Sequence, residues 1–115
     1  MFNFEKLEVW QKAVAFAGLV YRLTRNFPTD ERFGLTNQLR RAANSIASNI
    51  AEGSARPPAD YGRFVGYASG STSEVVTQAV IARNEGFISF EDFDRLYRDA
   101  EEISRMLTGL RKSLE

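Results

Sequence analysis

The chain has 115 residues, with 43% apolar and 26% charged side chains, values of one globular domain spanning residues 1–115 rather than of a disordered tail or a membrane span. Fifteen Lys and Arg balance fifteen Asp and Glu, so the protein does not grip nucleic acid through bulk charge alone. Cys and His are both absent, which removes disulfides, thiol and imidazole catalysis and nearly every zinc or haem site.

The amino-terminal run MFNFEKLEVWQKAVAFAG places acids where a signal peptide needs a basic leader, which predicts a cytoplasmic protein with no membrane association. Three breaks rich in Gly, Pro, Ser and Asp follow, at Phe27–Asp30, Gly53–Pro58 and Gly86–Ser89. They separate four segments of helical periodicity. With short connections, these predict an all-α, up-down-up-down antiparallel four-helix bundle.

The first segment carries two apolar stripes at helical spacing. One runs Leu7, Trp10, Val14, Ala17, Tyr21, Thr24; the other runs Val9, Ala13, Phe16, Val20, Leu23, Phe27. One stripe is enough for packing inside a bundle. The second either sinks into the same core or meets another subunit, and the latter marks Val9, Phe16, Val20 and Leu23 as a candidate oligomer interface.

The second segment has Leu35, Leu39, Ala42, Ile46 and Ile50 on one face and many small residues elsewhere, which predicts a central position among close neighbours. Along the edge of that face runs a polar stripe, Gln38, Arg41, Ser45, Asn49 and Glu52. Half-buried polar groups need partners, so the stripe either sets helix register through hydrogen bonds or lines a groove. Asn49 and Glu52 are expected to bond to neighbouring helices or to the loop containing Arg56, which lies four residues beyond Glu52, and Arg41 is expected to pair with Glu74.

In the third segment Gly62, Gly66 and Gly70 recur every fourth residue. Each glycine costs a helix about 1 kcal/mol relative to Ala, so tight packing is expected there. The fourth segment repeats Phe93, Leu96, Ala100, Ile103, Leu107, Leu110 and Leu114, with Ser89 as its cap and Asp92 three residues on.

Catalysis finds no foothold. A serine nucleophile has no His, and Lys6, Lys12 and Lys112 lie near no suitable serine. Di-iron bundles need Glu-x-x-His pairs, and the carboxylates of residues 91–102 read as a solvated face. The expectation is a protein that is not an enzyme, with no cofactor, no metal and no small-molecule substrate. Twelve of the fifteen basic residues are Arg, and residues 1–57 carry eight basic against five acidic side chains. Arg22, Arg25, Arg40, Arg41 and Arg56 are the candidates for binding a nucleic acid or partner, since a guanidinium forks onto phosphate. Arg40 and Arg41 point about 100° apart on a helix. Arg41 is expected to hold the fold and Arg40 to meet a partner.

The run Phe33-Gly34-Leu35-Thr36, followed by Gln38-Leu39-Arg40-Arg41-Ala42-Ala43, Ser45-Ile46, Asn49-Ile50-Ala51-Glu52-Gly53 and Arg56, resembles the signature of the 23S rRNA-intervening-sequence protein family, also called the four-helix bundle protein family. Phe4-Glu5-Lys6-Leu7 with Val9-Trp10 and Ala13, Val20-Tyr21 leading to Phe27-Pro28, and Phe64, Ala68, Gly70-Ser71, Glu74, Gln78 and Ile81-Ala82 are similar too. The resemblance implies a small all-α protein that self-assembles, as a homopentamer in several members. It also implies association with RNA or a nucleic-acid-processing protein, since some members are encoded within ribosomal RNA genes. A related branch forms the accessory variability subunit of retroelements. This chain is less basic than that branch, and its third helix is more polar. The other reading is a protein-interaction scaffold without nucleic-acid binding.

Overall fold

In the computed structural model, which describes residues 1–115, four helices run α1 Glu8–Thr24, α2 Leu35–Ser54, α3 Pro58–Asn84 and α4 Phe90–Ser113. No strand is present. Each helix packs against the two that adjoin it around a square, α1 on α2 and α4, α3 on α2 and α4, so every neighbouring pair is antiparallel. The molecule is elongated, 43 Å by 22 Å by 21 Å, close to the length that about 27 helical residues span at 1.5 Å each.

The ends of the helices follow their local chemistry. Ser89 Oγ accepts the Asp92 backbone N–H at 3.1 Å and so caps α4. Pro58 opens α3, where its missing N–H costs nothing. Gly86 takes φ +78° beyond α3, and the N–H groups of Gly86 and Phe87 return to the carbonyls of Arg83 and Ala82 at 3.0 and 2.8 Å. That paired closure needs a left-handed residue, which glycine adopts without strain. It delivers Phe87 onto Phe27, ring centroids 5.8 Å apart.

Two parts depart from a plain run of four helices. Residues Asn3–Lys6 form a separate 3-10 turn before α1, and Glu5 accepts the Phe2 N–H at 2.7 Å. The first connection is longer than the break at Phe27–Asp30 predicts, running from Arg25 to Gly34 with a 3-10 turn at Thr29–Glu31. Glu31 ends it by accepting the Leu35 N–H at 3.1 Å, satisfying one of the open donors of α2.

One cluster of 21 buried apolar residues, drawn from all four helices, forms the core. Val9, Phe16 and Val20 belong to it, at most 6% exposed, and Leu23 packs against it half-buried. These four therefore do not form a subunit interface: the second stripe of α1 is the one the bundle consumes. Of the first stripe only Val14 and Tyr21 stay outside, about two-fifths exposed, while Leu7, Trp10 and Ala17 pack half-buried against the core and Thr24 is buried.

Nor is α2 central. It occupies a corner, and its small residues serve chiefly the seam with α3, which is the most extensive in the bundle. Across that seam Gln78 Nε2 donates to Gln38 Oε1 at 3.3 Å, and Ser45 Oγ donates to Ser71 Oγ at 2.5 Å. The two bonds lie two turns apart on each helix, in opposite directions, as antiparallel register requires. The glycine pattern of α3 plays no part in close packing. A β-carbon on Gly62 or Gly70 would meet nothing within 4 Å, and one on Gly66 would meet only the movable tip of Arg111.

Candidate nucleic-acid interface

The arginines singled out from the sequence do not form one patch. Arg25 and Arg40 come together where α1 ends and α2 begins, because the long first connection folds back between them. Arg32, in that connection, joins them. The three guanidinium-bearing side chains line a cavity of about 180 Å³ together with Thr24, Thr29 and Thr36, with no acidic residue in its wall. The neighbouring acid Glu31 is engaged at the Leu35 N–H. In a chain of zero net charge this is a local concentration of positive charge.

Arg40 is held in place. Its Nε donates to Thr24 Oγ1 at 2.9 Å and its Nη2 to the Tyr21 carbonyl at 3.4 Å, while the guanidinium lies 4.7 Å from the centre of the Tyr21 ring. Thr24 passes the bond on, donating to the Val20 carbonyl at 2.8 Å. A cation thus sits on the C-terminal carbonyls of α1, where the helix dipole favours it. Arg40 is therefore the arginine that holds the fold, and Arg41 is not. Arg41 is exposed and its side chain makes no hydrogen bond or ion pair within the chain; its expected partner Glu74 turns to Gln78 Nε2 instead, at 3.3 Å. One residue of helix rotation separates the two side chains, and only the azimuth of α1 decides which one meets it.

Arg56 lies at the other end of the bundle, about 24 Å along the axis from Arg40 at 1.5 Å per residue. There it pairs with Glu52 at 3.1 Å, as the four-residue spacing predicts, and stacks over Phe64 at 4.6 Å. Arg22 faces a separate cleft of about 190 Å³ between α1 and α4, shared with Lys12, Arg95, Asp99 and Glu102. Within that cleft Lys12 hydrogen-bonds Glu102, which holds the Glu102 carboxyl below its usual range and the Lys12 ammonium above its own.

The polar stripe of α2 divides the same way. Gln38 and Ser45 cross to α3 as register-setting bonds, whereas Asn49 donates to the Ser45 carbonyl of its own helix at 2.8 Å rather than to a neighbour. Below it, Gly53 is where α2 and α3 approach most closely among the glycines: a β-carbon there would lie 2.7 Å from Phe64 Cβ and 3.1 Å from Tyr61 Cδ1. The motif residues Gln38, Ser45 and Gly53 are thus points of helix–helix contact. No group of three acidic side chains is placed to hold a metal ion, and no helix is long and apolar enough to cross a membrane.

Neither Arg32 nor Thr36 is among the binding candidates the sequence offers, although Thr36 belongs to the run Phe33–Thr36. Arg32 sits outside the helical periodicity, and only the path of the connection brings it to Arg25 and Arg40.

A family model described as 23S rRNA-intervening sequence protein matches residues 5–109. Among solved structures, the chain is similar to one from Bacteroides thetaiotaomicron, described as a protein with unknown function from the S23 ribosomal protein family. The TM-score is 0.81 at 23% identity, covering 90% of this chain and 98% of that one. No curated protein matches the chain.

Proposed function

Because the chain belongs to the 23S rRNA-intervening sequence protein family, we propose that it is a non-catalytic, self-assembling accessory module of the cytoplasm that binds RNA. The observation that carries this is the acid-free cavity of Arg25, Arg32 and Arg40. Arg25, Arg32 and Arg40 line one concavity with three threonines. Arg40 spends Nε on Thr24 and Nη2 on Tyr21, whereas its Nη1 and the side chains of Arg25 and Arg32 have no acceptor within the chain, and phosphate oxygens would supply them. Assembly into a homopentamer would present the cavity five times, so that modest affinity at each copy becomes strong attachment to one long strand.

Self-assembly is supported by the exposed residues of the first stripe of α1. Val14 and Tyr21 stay accessible beside half-buried Trp10 and Ala17, in a helix whose other stripe already fills the core. That stripe equally favours the second reading, a protein scaffold that assembles without RNA.

Titration of a structured RNA at rising salt, alongside light scattering, separates the two. The RNA reading expects log affinity to fall linearly with log salt, with a slope of about −0.7 to −0.9 per phosphate neutralised, and Arg25→Ala to shallow that slope by about one contact. A multimer that binds no RNA even at low salt leaves the scaffold and removes the RNA reading.

A further inference from the structure

We propose that the cavity between α1 and α2 takes a phosphomonoester, the terminal phosphate of an RNA strand, rather than the internal diesters of its backbone. This rests on the RNA reading above and names the part of the RNA that is recognised. Three observations lead to it.

The first is shape. The arginines line a cavity of about 180 Å³ together with Phe27 and Pro28 of the connection. At about 30 Å³ per water this is room for roughly six waters, enough for a phosphate group and the first atoms of its ester.

The second is charge. A monoester carries about −1.5 to −2 at neutral pH and offers three terminal oxygens, whereas an internal diester carries −1 on about two. Three arginines with no acid in the wall match the former. Asp30 and Glu31 adjoin the site in sequence, but neither lines the cavity.

The third is a preformed donor set. Arg40 spends its Nε on Thr24 and one Nη2 proton on Tyr21, which fixes the plane of the guanidinium and leaves Nη1 unspent. Thr36 is 7% exposed and lines the cavity, yet its hydroxyl has no hydrogen-bond partner within the chain. That oxygen is within reach of solvent, since the buried side-chain polar atom left without a partner is Gln78 Oε1 and not the Thr36 hydroxyl. A phosphate oxygen in the cavity would satisfy it.

The test uses the full chain and one RNA oligonucleotide prepared with a 5′-phosphate, a 3′-phosphate or hydroxyls at both ends, read by fluorescence anisotropy. Inorganic phosphate serves as the small competitor, and thermal melting is followed in parallel. The expected result is that one phosphorylated end binds at least tenfold tighter than the hydroxyl-ended strand. Arg32→Ala and Thr36→Val should each reduce that preference. The Arg32 side chain makes no hydrogen bond in the chain and lies only over the exposed Phe33 ring, so its replacement should leave the melting temperature in place and keep the comparison interpretable. Equal affinity for all three strands overturns the terminal-phosphate inference and leaves RNA binding standing. If no RNA binds but inorganic phosphate raises the melting temperature of the parent and not of Arg32→Ala, the monoester chemistry holds and its nucleic-acid source is overturned. Silence in every arm overturns both.

Discussion

Gly53 of α2 lies so close to Phe64 of α3 that a β-carbon on the glycine would stand 2.7 Å from Phe64 Cβ. That atom is fixed to the backbone of α3, so a side chain at position 53 can be accommodated only if the helices part. The largest seam of the bundle would widen at the end where Tyr61 also presses on it.

Gly53→Ala should therefore destabilise the fold by about 1–3 kcal/mol, the usual cost of overpacking. Gly62→Ala and Gly70→Ala are the controls, since a β-carbon there meets open space. Each should stabilise by up to about 1 kcal/mol through helix propensity. Thermal unfolding of the three variants checks this, and a Gly53→Ala protein as stable as the parent would refute the close approach.

Arg40 and Arg41 make a second comparison. Arg40→Ala removes two charge-assisted hydrogen bonds and a stack on Tyr21, a loss of about 1–2 kcal/mol. Arg41→Ala removes an exposed side chain with no partner in the chain and should stay within about 0.5 kcal/mol of the parent. Chemical denaturation of both variants measures the difference, and the opposite ranking would contradict the placement of α1 against α2.

The two stripes of α1 should respond oppositely. Phe16→Ala opens a cavity in the core and should cost about 3–5 kcal/mol whatever the assembly state. Val14→Glu changes an exposed position, so helicity and monomer fold should persist while light scattering reports a smaller particle. An unchanged mass for Val14→Glu would place the subunit contact elsewhere.

The pair Lys12–Glu102 sets a pH dependence with two limbs. Hydrogen bonding to Lys12 lowers the folded Glu102 pKa, so its contribution is present above the unfolded carboxyl value of about 4.3 and disappears as pH falls through the folded one. The same bond raises the folded Lys12 pKa, so that contribution is complete below about 10.4 and disappears as pH rises through the folded value. Between those values this pair adds no slope. Both side chains are about two-fifths exposed, so the effect is small and reduced by salt. The readout is the difference in melting temperature between the parent and Glu102→Gln, which should shrink at both extremes; a constant difference would mean the ion pair does not form in solution.

Much of the fold was legible along the chain because helix ends are local events. Ser89 caps through a bond to Asp92 three residues away, Pro58 starts a helix, and the Phe93–Leu114 repeat faces one way whatever surrounds it. The spacing of Glu52 and Arg56 likewise brings their charges together within a single turn. The absence of His and Cys settled, before any folding, which side-chain chemistries the protein lacks.

The rest depended on how helices are rotated and displaced against one another, which spacing within one helix does not contain. Periodicity showed two apolar stripes on α1; the positions of α2 and α4 chose Val9, Phe16 and Val20 for the core and left Val14 outside. Arg40 and Arg41 are equivalent until α1 lies beside one of them. Of the glycines, Gly53 alone lies against the backbone-bound Cβ of a neighbouring helix, while the regular series in α3 meets either open space or a movable arginine tip. The arginine cavity is the least local feature of all. Its cations come from α2 and from the connection that joins it to α1, and a turn with no periodicity carries Arg32 to the other two. Local bonds draw on residues within a turn of each other, whereas a site assembled across elements exists only once the core has set their relative positions.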